Sequence, residues 1–142
     1  GGGLIAGIGS ALRALKPDTK IFAAEPQTAA PLATSLQAGT ASRFPNWEAS
    51  FVDGAGGKTV LPSMWPLLSS LVDDSIVVSL KEVAHAMRLI AERTRVIAEG
   101  AAACAVAAAL TGRAGSGKIV AIISGGNIDL PKFAALTADG TD

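Results

Sequence analysis

Three uninterrupted apolar runs constrain this chain most: residues 20–24 (KIFAA), 75–79 (SIVVS) and 118–124 (KIVAIIS). A strand with one wetted face alternates polar and apolar residues. A continuous apolar run this short belongs to a strand buried on both faces. Segments of helical period lie between the runs. Strands that alternate with helices make a parallel sheet with helices on both sides. The predicted fold class is therefore α/β, a three-layer αβα arrangement with a mostly parallel sheet.

The helices are read from their ends. An apolar segment of helical period follows the opening glycines and reaches Leu15, and Pro17-Asp18 turns the chain. Thr28 is the expected N-cap of a helix over residues 29–37, closed by Gly39. Residues 40–62 have no clear period, and a loop that long in a small domain usually has a function. Ser63 is the expected N-cap of a helix through Leu71, which Asp73-Asp74 ends, and Ser79 that of one over residues 80–96. Glu99 opens an almost all-alanine helix, whose small side chains suit close packing in the centre. A short helix near residues 132–136 and a polar tail finish the chain.

Composition narrows the function. The chain has 12 Lys+Arg and 12 Asp+Glu, with no charge block, so nucleic acid and anionic membranes are poor partners. Cys104 is the only cysteine, which excludes an internal disulfide and fits a reducing compartment. Residues 96–110 are apolar but short and interrupted by Glu99, so they predict a buried helix and no membrane span. No basic segment precedes the apolar start, so no signal peptide is expected. Hydrophobic residues reach 49%, which suggests that a partner or a further segment covers some surface. The first residue is Gly, and phosphate-binding glycines normally follow a strand. The chain therefore reads as the later part of something longer.

Gly1-Gly2-Gly3-Leu4 runs straight into a helix. Glycines let several N–H groups converge, and a helix N-terminus adds more donors and a positive dipole end. That is an anion site, or else a flexible glycine-rich start. Glu25-Pro26 and Ser124-Gly125-Gly126-Asn127 fall at the carboxyl ends of predicted strands, where open α/β sheets bind ligands. Gly1-Leu4-Gly7 with Glu25 downstream also allows a dinucleotide-binding module. Residues 112–118 match the spacing of a phosphate-binding P-loop in reversed order, helix before and strand after, and are rejected as one. His85 is expected on a surface and Cys104 in the core. One His and one Cys make neither a transition-metal cluster nor a Ser/His/Asp set. Glu99 is either a favourable charge at a helix start or a functional carboxylate.

These pieces, with Val52-Asp53-Gly54, Leu71-Val72-Asp73-Asp74, Glu92-Arg93-Thr94 and Ser124 through Asp129, run in one order along nearly the whole chain. In that order they resemble the second half of fold-type II pyridoxal phosphate enzymes, the threonine/serine dehydratase group. The resemblance implies that residues 1–142 are the C-terminal portion of the cofactor domain of a tryptophan synthase beta-like fold, starting inside its phosphate loop. It implies pyridoxal 5'-phosphate as cofactor. Gly1, Gly2, Gly3 and Leu4 would hold its phosphate, and Ser124 would meet its ring nitrogen. Gly54 would lie beside the substrate and Glu99 near the ring. In some relatives the residues matching Glu25, the carbonyl of Ala29 and an acid two positions later bind a divalent or monovalent cation; here the last position is Pro31.

No lysine here has the context of the family's Schiff-base lysine, which belongs upstream, so no catalytic residue is assigned within the chain. The expected activity of the intact protein is β-elimination from threonine or serine to a 2-oxo acid and ammonia, in a cytoplasmic homo-oligomer. Serine racemase-like activity, a half-subunit completed by a second chain, and a non-catalytic phosphate- or nucleotide-binding module are the alternatives.

Overall fold

The computed structural model describes residues 1–138. The expected polar tail lies mostly outside them. The elements in order are α1 (Gly3–Leu15), β1 (Phe22–Pro26), α2 (Pro31–Ala38), α3 (Trp65–Leu71), β2 (Asp74–Val78), α4 (Leu80–Thr94), α5 (Gly100–Leu110) and α6 (Leu130–Ala138).

β1 and β2 pair in parallel, with Ala24 opposite Ile76 and Pro26 opposite Val78. Their side chains alternate between two apolar clusters. Ala24, Ile76 and Val78 join Val83, Met87, Ala103 and Ala107 from α4 and α5. Ala23 faces the other way and packs with Ala6, Leu32, Leu68 and Leu71 from α1, α2 and α3. Helices thus cover both faces of the sheet, which is the expected α/β layering. α5 reaches the sheet because it is built mostly from alanine, with Gly100 and Cys104 also buried and Ala103 fully so.

The third expected strand does not form. Residues 118–124 have no ladder partner among the described residues, since β1 and β2 pair only with each other. Their side chains stay outside: Ile119, Val120, Ile122 and Ile123 are 45%, 83%, 43% and 39% exposed. An apolar run gives a strand only where a neighbour can complete its hydrogen bonds.

The helix starts also differ from expectation. Ala30, not Thr28, is the N-cap of α2, and Met64, not Ser63, that of α3; neither supplies a side-chain cap. Ser79 does cap α4. It accepts from the Glu82 N–H at 3.2 Å while the Glu82 carboxylate accepts from the Ser79 N–H at 2.6 Å, a reciprocal capping box. Gly39 closes α2 at φ 67° as expected. Asp73 does more than end α3. It accepts from the Ile21 N–H at 2.7 Å and from Arg13 at 2.8 Å, joining the approach to β1 with α1.

Candidate functional site

The glycine start forms the N-terminal end of α1. Gly2 is left-handed, at φ 81°, and its carbonyl accepts the first helical bond from the Ala6 N–H. The N–H groups of Gly3, Leu4 and Ile5 therefore precede the helical ladder. A Cβ on Gly2 would lie 2.8 Å from Leu68 Cδ1, whereas Cβ atoms on Gly1 and Gly3 would meet nothing within 4 Å. The turn is packed on one side and open on the other. Free backbone donors and the positive dipole end of α1 lie at this turn, so the residues present fit a phosphate group.

Glu99, Gly54 and Gly125 come together from three separate parts of the chain. Glu99 is the N-cap of α5, but its side chain makes no cap hydrogen bond. Its N–H donates to the Gly125 carbonyl at 3.1 Å. A Cβ on Gly125 would lie 2.6 Å from Glu99 Oε1, and one on Gly54 would lie 3.6 Å from the same oxygen. The half-buried carboxylate thus lies against two exposed or half-buried glycines. Ser124, next to Gly125, is exposed.

The loop over residues 40–62 is built to carry Gly54. Val52 is fully buried beneath it, and Asp53 Oδ1 accepts from the Gly54 N–H at 2.8 Å. Trp47 Nε1 donates to the Gly56 carbonyl at 2.9 Å, and Lys58 Nζ stacks 4.1 Å from the Trp47 ring centre. These contacts explain how a long stretch without period is ordered.

The remaining candidates sit elsewhere. Glu25, on β1, and Ala29, just ahead of α2, are buried. The Glu25 carboxylate accepts from the Leu32 and Ala33 N–H groups, both at 2.8 Å, and from the Ser75 hydroxyl at 2.6 Å. Burial and these donors oppose the dinucleotide reading, in which Glu25 would have to reach a ribose. Among the described residues no hydrogen bond joins the α1 start to the Glu99 cluster. Open depressions of about 340 and 530 Å³ lie by α4–α6 and by α2–β2, and neither is lined by a candidate residue. His85 is exposed and Cys104 buried, as expected; burial pushes the Cys104 thiol up to about 12. Residues 112–118 are a turn with no helix after them, which removes the P-loop reading.

The sequence missed two roles. Gly126 is a close approach: a Cβ there would clash with the Ile97 carbonyl oxygen. The glycine pair itself was the signal, but only the fold shows what presses on it. Glu25 caps a helix from a neighbouring strand, for which local sequence carries no signal.

The chain thus joins a parallel sheet, a glycine turn opening α1 and a carboxylate–glycine cluster at the start of α5. The model for pyridoxal-phosphate dependent enzymes covers residues 1–125, and the chain belongs to that family. It is 37% identical over 142 residues to the L-threonine ammonia-lyase of Geobacter sulfurreducens, covering 99% of this chain and 35% of that protein. Among solved structures it is similar to the processed form of threonine deaminase isoform 2 from Solanum lycopersicum, at TM-score 0.88 and 30% identity, over 99% of this chain and 42% of that one. It is also similar to maize serine racemase, at TM-score 0.84 and 36% identity, over 95% and 44% of the two chains. The chain thus spans about 35% to 44% of the length of these relatives. None of its described helices is long and apolar enough to cross a membrane.

Proposed function

We propose that the intact protein containing this chain is a pyridoxal phosphate-dependent threonine/serine dehydratase, releasing a 2-oxo acid and ammonia by β-elimination. Residues 1–142 form the C-terminal part of its cofactor domain. The convergence of Gly54, Glu99 and Gly125 carries this reading. It clusters three separate segments, each of which holds a residue expected at cofactor or substrate (Gly54, Glu99 and Ser124), and it leaves Ser124 exposed. Similarity to a threonine ammonia-lyase and a threonine deaminase supports the substrate class.

The cofactor supplies an electron sink for negative charge at the substrate Cα. The chain's part is to hold it and set its electronics. Gly1, Gly2, Gly3 and Leu4 would hold the phosphate at the positive end of α1. Ser124 would give its neutral hydroxyl to the ring nitrogen, so that no carboxylate enforces protonation there. Glu99 would stand beside the ring, and Gly54, with no side chain, would leave room for the substrate. A lysine from outside this chain would move the Cα proton. A homo-oligomer in the cytoplasm completes the proposal.

The test is a product assay on the purified intact protein with threonine and serine. We expect 2-oxobutyrate from threonine and pyruvate from serine. Chiral chromatography of the same mixtures detects D-serine; D-serine without 2-oxo acid would replace elimination with racemisation. No product from either amino acid with cofactor bound would overturn the reading.

A further inference from the structure

Glu25 is 9% exposed, and its carboxylate ties together three elements. One oxygen accepts from the Leu32 N–H and the other from the Ala33 N–H, both in the first turn of α2. The second oxygen also accepts from the Ser75 hydroxyl on β2. The strand carboxylate thus does for α2 what its own N-cap, Ala30, cannot. It also lies at the positive end of the α2 dipole, where an anion is favoured and a cation is not.

We infer that Glu25 is a built-in cap and clasp for α2 in this protein and holds no cation, although the family resemblance implies one there. The donor set does not fit an ion. A carboxylate offers about four lone-pair positions, and three carry hydrogens here. Two of these belong to the helix backbone and cannot turn away. A calcium or magnesium site takes about six or more oxygen ligands, waters included, and this carboxylate has about one lone-pair position left to offer it. The third implied ligand position is Pro31, the first residue of α2, which has no side-chain oxygen. No group of three or more His, Cys, Asp or Glu side chains able to hold a metal occurs among the described residues. The inference does not depend on which reaction the intact protein performs.

Hydrogen–deuterium exchange of the purified intact protein tests it, read on peptides covering residues 22–38. Exchange is compared in chelator and in millimolar magnesium, calcium or manganese, then with potassium replacing tetramethylammonium. We expect the same protection in every case. Protection that falls in chelator or tetramethylammonium and returns with an ion would overturn the inference, and this arm needs no variant. Glu25→Gln should speed exchange of the Leu32 and Ala33 amides about tenfold or more, since both lose a charged acceptor. Unchanged exchange in a folded Glu25→Gln would show that the clasp contributes nothing, and would also overturn it. A cation effect confined to peptides elsewhere, and kept in Glu25→Gln, would support it by placing the ion away from Glu25.

Discussion

Glu99 and Gly125 are joined twice: the Glu99 N–H donates to the Gly125 carbonyl at 3.1 Å, and the Glu99 carboxylate fills the space a Gly125 side chain would need. The start of α5 and the Ser124–Gly126 turn are therefore placed as one unit. The distinction between Gly125 and Gly126 follows from what each one faces.

Gly125→Ala meets the far end of the flexible Glu99 side chain, which can swing aside. We expect the fold to persist, with melting within a few degrees of the parent, and turnover of the intact enzyme to fall about tenfold or more. Gly126→Ala would clash with the Ile97 backbone carbonyl. Backbone cannot swing aside, so that variant should lose about 1–3 kcal/mol of stability. Denaturant titration of both variants separates the two, and equal stability losses would refute the distinction.

Ser124→Ala in the intact enzyme should lower turnover while cofactor remains bound, as judged by the visible absorbance of the purified protein. Ser124 is exposed, so stability should hold within about 0.5 kcal/mol. Unchanged turnover would remove Ser124 from the site.

Gly2→Ala combines a left-handed backbone with a Cβ 2.8 Å from Leu68 Cδ1. We expect a stability loss of about 1–2 kcal/mol from the backbone conformation alone. Distortion of the α1 start should also weaken cofactor retention on dialysis. Full retention of the cofactor would show that the phosphate is held elsewhere.

Asp73 gives a pH signature. The Ile21 N–H, followed by the Arg13 guanidinium, holds its carboxyl below the usual 3.8. Its folded pKa is thus depressed, so its contribution is complete above about pH 5 and is lost as pH falls through 3.8 and below. Because Asp73 is 36% exposed, solvent screening limits the contribution to about 0.5–1 kcal/mol. Asp73→Asn should flatten this part of the acid limb in denaturant titrations between pH 5 and pH 3. An identical acid limb would remove Asp73 as its source.

Sequence alone determined the element types that rest on local chemistry. Helical period and turn residues marked α1, α4 and α5. Ser79 marked a cap, and apolar runs marked β1 and β2 within two residues of their observed starts. The ordered motifs also named the family, because short motifs in a fixed order are themselves sequence. Tertiary structure alone decided what depends on neighbours. Residues 118–124 have the composition of a strand but no described partner, so they form none. The cap of α2 comes from Glu25, on another element, so Thr28 could not foretell it. The cluster of Gly54, Glu99 and Gly125 joins positions far apart in the chain. Its geometry exists only once Val52 is buried and α5 is packed against the sheet.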